Sequence, residues 1–181
     1  MNQPAHDPRG AANLLLDLAD TRGLGITNLA LQKLLYFAHA YHLVTHRRGL
    51  VGGHFEAWQY GPVHPLVYKS FKQAGDQPIR DRAVGLDLIA RREVLIRPPV
   101  DPFARDTINL VLDRLGHLSA GRLIELSHAK DGPWDFVVKK SKRTSGLGLR
   151  ISDDVIRERF YRIGPVRSEP LGEPGEDTPP A

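Results

Sequence analysis

The chain has 181 residues, among them no cysteine and one methionine, and its formal net charge is +4. This length favours a single domain that is large enough to bury a core of its own. Because cysteine is absent, a disulfide scaffold, a cysteine nucleophile and a zinc site built on thiolates are excluded. The hydrophobic share of 41% and the charged share of 25% are typical of a soluble globular protein.

Charge is distributed unevenly along the chain. Residues 164–181 carry one arginine and four acidic side chains, which gives this segment a net charge of −3 and leaves +7 on the rest. The segment also contains five prolines and three glycines, so we predict a disordered acidic tail, and the polar residues 1–10 are predicted to be disordered too. No apolar run is long enough for a secretory leader or a membrane span, so we expect a cytoplasmic protein without a membrane partner.

The first half of the chain predicts two helices, a strand and a third helix. A short amphipathic helix is predicted at 11–21, and a second helix at 27–46 carries apolar residues around more than one side. Such a wide stripe is typical of the central helix of a fold. Residues 55–60 alternate apolar and polar as a strand does, and Pro65 can begin a helix that continues to Ala74.

The second half predicts mainly helices joined by turns. Residues 84–96 fit either a helix or a strand, whereas helices are predicted at 101–115, 120–129 and 153–162. One further helical turn is predicted at 134–138, followed by a basic loop at 139–150. Together these elements predict an α+β, predominantly helical protein: a single compact domain of about six helices with a small short-stranded β element.

Three histidines raise the alternative of a metalloenzyme. His39, His42 and His46 share one helix face, and neutral imidazoles at that spacing can bind zinc. However, Ala40 stands where the helical zinc motif HExxH has its glutamate. A His-dependent metalloenzyme therefore remains an alternative, while no metal ligand, cofactor or catalytic residue is assigned.

Aromatic and basic segments supply the candidate partner-binding residues. Trp, Tyr and Arg side chains concentrate binding energy at protein interfaces, and basic runs such as that at 139–150 can also attract nucleic acid, which is a further alternative. The candidates are Trp58, Tyr60, His64, Tyr68, Arg91, Arg92, His128, Trp134, Lys139, Lys140 and Arg143.

Four motifs in a fixed order carry a resemblance to a known family. The motifs are LQKLLYFA at 31–38, EAWQYGPV at 56–63, Tyr68 with Phe71-Lys72, and ELSH at 125–128 with GPW at 132–134. In this order and spacing they resemble the Panacea domain of SocA-like antitoxins and related phage-associated proteins. The resemblance places that domain at 11–163.

The resemblance implies a function as well as a fold. It implies an antitoxin of a bacterial or phage toxin–antitoxin system that neutralises a cognate toxin by direct protein binding and is not an enzyme. In the SocA case the antitoxin delivers its toxin to the ClpXP protease, so ClpXP is a second expected partner. No catalytic residue is established for the family, and none is transferred to this chain.

Overall fold

The computed structural model describes residues 5–143 and 149–160. This part of the chain is α+β and predominantly helical, as predicted, and no helix in it combines the length and apolar character needed to cross a membrane. Its elements are α1 (Pro8–Asp20), α2 (Asn28–His46), β1 (Phe55–Trp58), β2 (Gly61–Val63), α3 (Pro65–Phe71) with a 3₁₀ turn (Lys72–Ala74), β3 (Val84–Asp87), β4 (Arg92–Leu95), α4 (Pro102–Leu115), α5 (Ala120–Ser127), α6 (Pro133–Arg143), β5 (Arg150–Ile151) and α7 (Asp153–Arg159).

Helix α2 is the centre of the fold, as its wide apolar stripe predicts. It begins at Thr27, whose hydroxyl accepts a hydrogen bond from the Ala30 N–H, and it packs against α1, α4, α5 and α7. Leu31, Leu34 and Phe37 on different sides of the helix are all fully buried. The core therefore surrounds α2 rather than lying along one face of it.

The strands form two separate antiparallel sheets. One sheet has the order β2-β1-β5, with Trp58 opposite Gly61 at the β1–β2 turn. The other is the β3–β4 hairpin, so the ambiguous segment 84–96 forms strands. Buried Asn13 on α1 fixes the base of this hairpin, because its side-chain amide donates to the carbonyls of Ala83 and Ile96 and its Oδ1 accepts from the Ala83 N–H.

Two predicted boundaries are wrong. Helix α1 begins at Pro8, inside the segment predicted to be disordered, because Asp7 caps it and His6 forms a β-bridge with Val51. Residues 139–143 belong to α6 rather than to a loop, because a buried Val137 and an ion pair between Lys139 and Asp135 one turn earlier continue the helix. The predicted tail 164–181 and residues 1–4 lie outside the described residues.

Candidate partner-binding site

An aromatic groove of about 380 Å³ lies beside the β1–β2 turn. The groove is lined by Asn28, Leu29, Gln32, Trp58, Gln59, Tyr60, Val63, Tyr68, Lys72 and Gly75. The rings of Trp58 and Tyr68 meet edge to face with centroids 5.0 Å apart, and Tyr60 is 59% exposed. Three of the predicted partner-binding residues thus line one concave surface.

The turn that presents Tyr60 depends on Gly61. The predicted strand 55–60 ends at Trp58, and Gln59 and Tyr60 form the turn that leads into β2. Gly61 has φ +95°, a backbone conformation that side-chain-bearing residues rarely adopt. A Cβ atom on Gly61 would lie 2.5 Å from Ser127 Oγ and 2.8 Å from Lys33 Cε, so the turn packs directly against α2 and α5.

Polar side chains of α2 hold β2 from beneath. Lys33 is fully buried, and its Nζ donates a hydrogen bond of 2.8 Å to the Pro62 carbonyl. Gln32 Oε1 accepts from the His64 N–H at 3.0 Å, while its amide donates to Asn28 Oδ1. These bonds fix the strand that follows Tyr60 to the central helix.

The α5–α6 corner holds the end of β1. Trp134 Nε1 donates a hydrogen bond of 2.8 Å to the Trp58 carbonyl. His128 stacks on the Trp134 ring with centroids 3.7 Å apart and an interplanar angle of 11°. Burial, together with the positive charge of Lys33 nearby, lowers the pKa of His128 and favours its neutral form. The turn is therefore anchored on both sides before a partner arrives.

Comparison with known proteins agrees with the resemblance carried by the motifs. The family model of the antitoxin SocA-like, Panacea domain matches residues 31–135. Antitoxin SocA of Caulobacter vibrioides (strain NA1000 / CB15N) is 45% identical over 177 residues, which cover 97% of this chain and 94% of that protein. The chain belongs to the SocA-like antitoxin family. No solved structure gives a match.

The span matched by the SocA-like family model includes the residues that hold the β1–β2 turn on both sides. It begins at Leu31, directly before the Gln32 and Lys33 that hold β2, and it ends at Asp135, directly after the Trp134 that holds β1. In the structure, the separate motifs that suggested the family therefore converge on the support of the aromatic groove. They contain both the scaffold of the site and exposed residues of its lining, among them Tyr60, Tyr68 and Lys72.

The other predicted partner-binding residues lie away from the groove opening. His64 is buried with its Nε2 2.9 Å from the Gly52 carbonyl, so it serves the scaffold. Arg91 and Arg92 are exposed at the tip of the β3–β4 hairpin. The remaining candidates are Lys139, Lys140 and Arg143 on the last turns of α6, and the side chain of Arg143 lies outside what the structure describes.

The three helical histidines are engaged by neighbouring side chains. His39 Nε2 lies 3.1 Å from Asp153 Oδ1, and His42 Nδ1 lies 2.9 Å from Thr107 Oγ1. The ring of His46 lies 4.5 Å from that of His42 and 5.2 Å from that of Phe103, between centroids. Burial lowers the pKa of His42 to about 4, so the ring is neutral at neutral pH. Within residues 5–143 and 149–160, no group of three or more histidine or carboxylate side chains is placed to hold a metal ion.

Several residues of the site were not among the predicted partner-binding residues. Leu29, Gln32 and Lys72 line the groove, and Lys33 supports it, but none of them was a candidate. Lys33 offered one signal, because a lysine within an otherwise apolar stripe of the central helix must find a buried partner. Leu29 offered no signal, and Lys72 stood only within a family motif, because the two residues come close only through the packing of α3 beside α2.

Lys33 makes the stability of the fold depend on pH. Burial lowers its pKa from 10.5 to about 7, so between these values the unfolded chain binds more protons than the folded protein and stability rises with pH. Lys33→Met should reduce the rise between pH 7 and about pH 9, whereas Lys140→Met, at an exposed position, should leave it unchanged. Urea unfolding across this range measures the slope, and an unchanged slope in Lys33→Met contradicts the assignment.

Proposed function

We propose that this SocA-like protein neutralises a cognate toxin without catalysis, by direct protein–protein binding at the aromatic groove. The observation that carries the proposal is the exposed Tyr60 on a turn that is anchored from two sides. Aromatic side chains concentrate binding energy, and a preorganised turn loses little conformational freedom when it binds. The 45% identity to a protein named antitoxin supports the kind of partner, which is a toxin.

The family resemblance extends the proposal to a second step, in which the bound toxin is passed to ClpXP in the cytoplasm. Occlusion and degradation predict different amounts and lifetimes of the toxin in the cell. If binding alone neutralises the toxin, the toxin accumulates in a complex with this protein. If delivery to ClpXP neutralises it, the toxin has a short half-life that lengthens when ClpX is depleted.

The basic segment 139–150, which suggested a nucleic-acid partner, supports such a partner less well in the structure. Lys139 is engaged by Asp135 at 2.6 Å and by Asp131 at 3.6 Å, so part of the basic run is neutralised within α6. Lys140 and Lys142 are exposed on the same helix. Among the described side chains of 139–150, these two lysines and Arg150 leave a small cationic surface compared with the phosphate contacts that nucleic-acid binding requires.

Co-expression with the neighbouring open reading frame tests the proposal. We expect that the neighbouring product alone arrests growth, that growth resumes when this protein is present, and that the two proteins co-purify. A neighbour that is harmless alone, or that remains toxic beside this protein, contradicts the proposed function.

A further inference from the structure

Helix α3 and the 3₁₀ turn after it form a ridge between two concave surfaces. The aromatic groove lies on one side of the ridge and includes Lys72. A wider cleft of about 750 Å³ lies on the other side, between the ridge and the β3–β4 hairpin, and Arg80 lines it. The exposed surface of the ridge also carries Leu66 and Lys69. A partner seated in the groove therefore reaches the ridge as well.

The two lysines of this ridge belong to the exposed cations that no carboxylate of the described structure neutralises. Arg9 and Arg22 lie within 3.0 Å of carboxylate oxygens, and Arg82 pairs with Asp17. In contrast, the exposed Lys69 and Lys72 have no ion pair or hydrogen bond to the part of the chain that the structure describes. Within the described structure, no carboxylate neutralises their positive charges.

No carboxylate lines the groove or pairs with these lysines in the described structure, and Lys72 is the one charged side chain among the lining residues. The carboxylate of Glu56 lies at the Trp58 side of the groove, where its Oε2 accepts a hydrogen bond of 2.7 Å from Trp58 Nε1. Asp76 lies at the edge of the groove, where its carboxylate accepts a hydrogen bond from the Gln77 amide. An apolar floor with a cationic rim is complementary to an apolar side chain that has a carboxylate beside it.

We infer that the partner segment in the aromatic groove is acidic, with an apolar side chain against the aromatic rings and carboxylates beside Lys69 and Lys72. This inference rests on the proposed function and adds the chemistry of the toxin surface to it. The geometry favours a protein over a single-stranded nucleic acid. Trp58 and Tyr68 contact each other edge to face, so their rings do not form the row of parallel platforms on which successive bases stack.

A charge-reversal variant, K69E/K72E, tests the inference against the purified product of the neighbouring open reading frame. We expect the variant to bind about tenfold more weakly than wild type at low salt, mainly because association is slower. The difference in affinity between the two proteins should become smaller as salt is added. Both lysines are exposed and unbonded in the described structure, so circular dichroism and thermal melting should show an unchanged fold.

The matched control is K140E/K142E on α6, which changes the net charge by the same amount. These lysines lie toward the opposite end of α6 from Trp134, which contacts the turn, so we expect binding within about threefold of wild type. The inference is overturned if both variants bind the partner equally more weakly than wild type. It is also overturned if K69E/K72E binds as tightly as wild type. Specific binding of a single-stranded oligonucleotide that K69E/K72E abolishes overturns it too. No binding by the wild-type protein contradicts the proposed function instead.

Discussion

Gly61→Ala is expected to lower the free energy of unfolding by about 2–4 kcal/mol. Two costs combine at this position. The backbone has φ +95°, where an L-amino acid is strained. In addition, the new Cβ would lie 2.5 Å from Ser127 Oγ and 2.8 Å from Lys33 Cε, both of which are buried. Because helices α2 and α5 surround the position, neither neighbour can move away cheaply.

Gly23→Ala is the control that measures the cost of a positive φ without the steric cost of the new Cβ. Gly23 also has a positive φ, +67°, but a Cβ there would meet nothing within 4 Å. We therefore expect a loss of about 1 kcal/mol, which is the backbone cost alone. Urea unfolding of both variants gives the comparison. If Gly61→Ala costs no more than Gly23→Ala, the β1–β2 turn is not packed against Lys33 and Ser127 as the structure shows.

Hydrophobic periodicity was sufficient to predict the helical framework. The central position of α2 follows from apolar residues around its circumference, since a helix with one apolar side would lie at the surface. Thr27 predicted the start of the helix because its hydroxyl caps an N–H group that has no acceptor within the helix. These are local signals, and they depend little on which elements pack together.

Contacts between distant segments were not predictable in the same way. The β3–β4 hairpin is held at its base by Asn13, about 70 residues earlier in the chain, and an isolated two-stranded hairpin is marginal without such support. Residues 84–96 therefore looked ambiguous alone. The groove has the same origin, because Leu29, Trp58 and Lys72 belong to three segments that only the tertiary fold brings together.

The boundaries at residues 10 and 139 failed for a related reason. Polar composition predicted disorder before Ala11 and a loop after Val138, yet residues 8–10 and 139–143 are helical. In each case one acidic side chain stabilises the helix: Asp7 as an N-cap, and Asp135 through its ion pair with Lys139. Composition averages over a segment and cannot show such single contacts.

Tyr60→Ala is expected to weaken toxin binding by about 30-fold, or about 2 kcal/mol, and to reduce neutralisation in cells. The side chain is 59% exposed, and its hydroxyl makes no hydrogen bond with the described residues. The stability of the free protein should therefore change by less than about 0.5 kcal/mol. Calorimetry with the purified product of the neighbouring open reading frame measures affinity, and thermal melting measures stability.

Phe103→Ala supplies the matched control for this prediction. Phe103 is also a largely exposed aromatic residue, at 55%, but its ring lies against His46 at the end of α2. The groove is lined by Asn28 and Leu29 at the other end of this helix of 19 residues, which is about 28 Å long. We expect toxin affinity in Phe103→Ala to equal that of wild type. If both variants bind as tightly as wild type, the aromatic groove is not the toxin-binding surface, and the contact lies elsewhere on the protein.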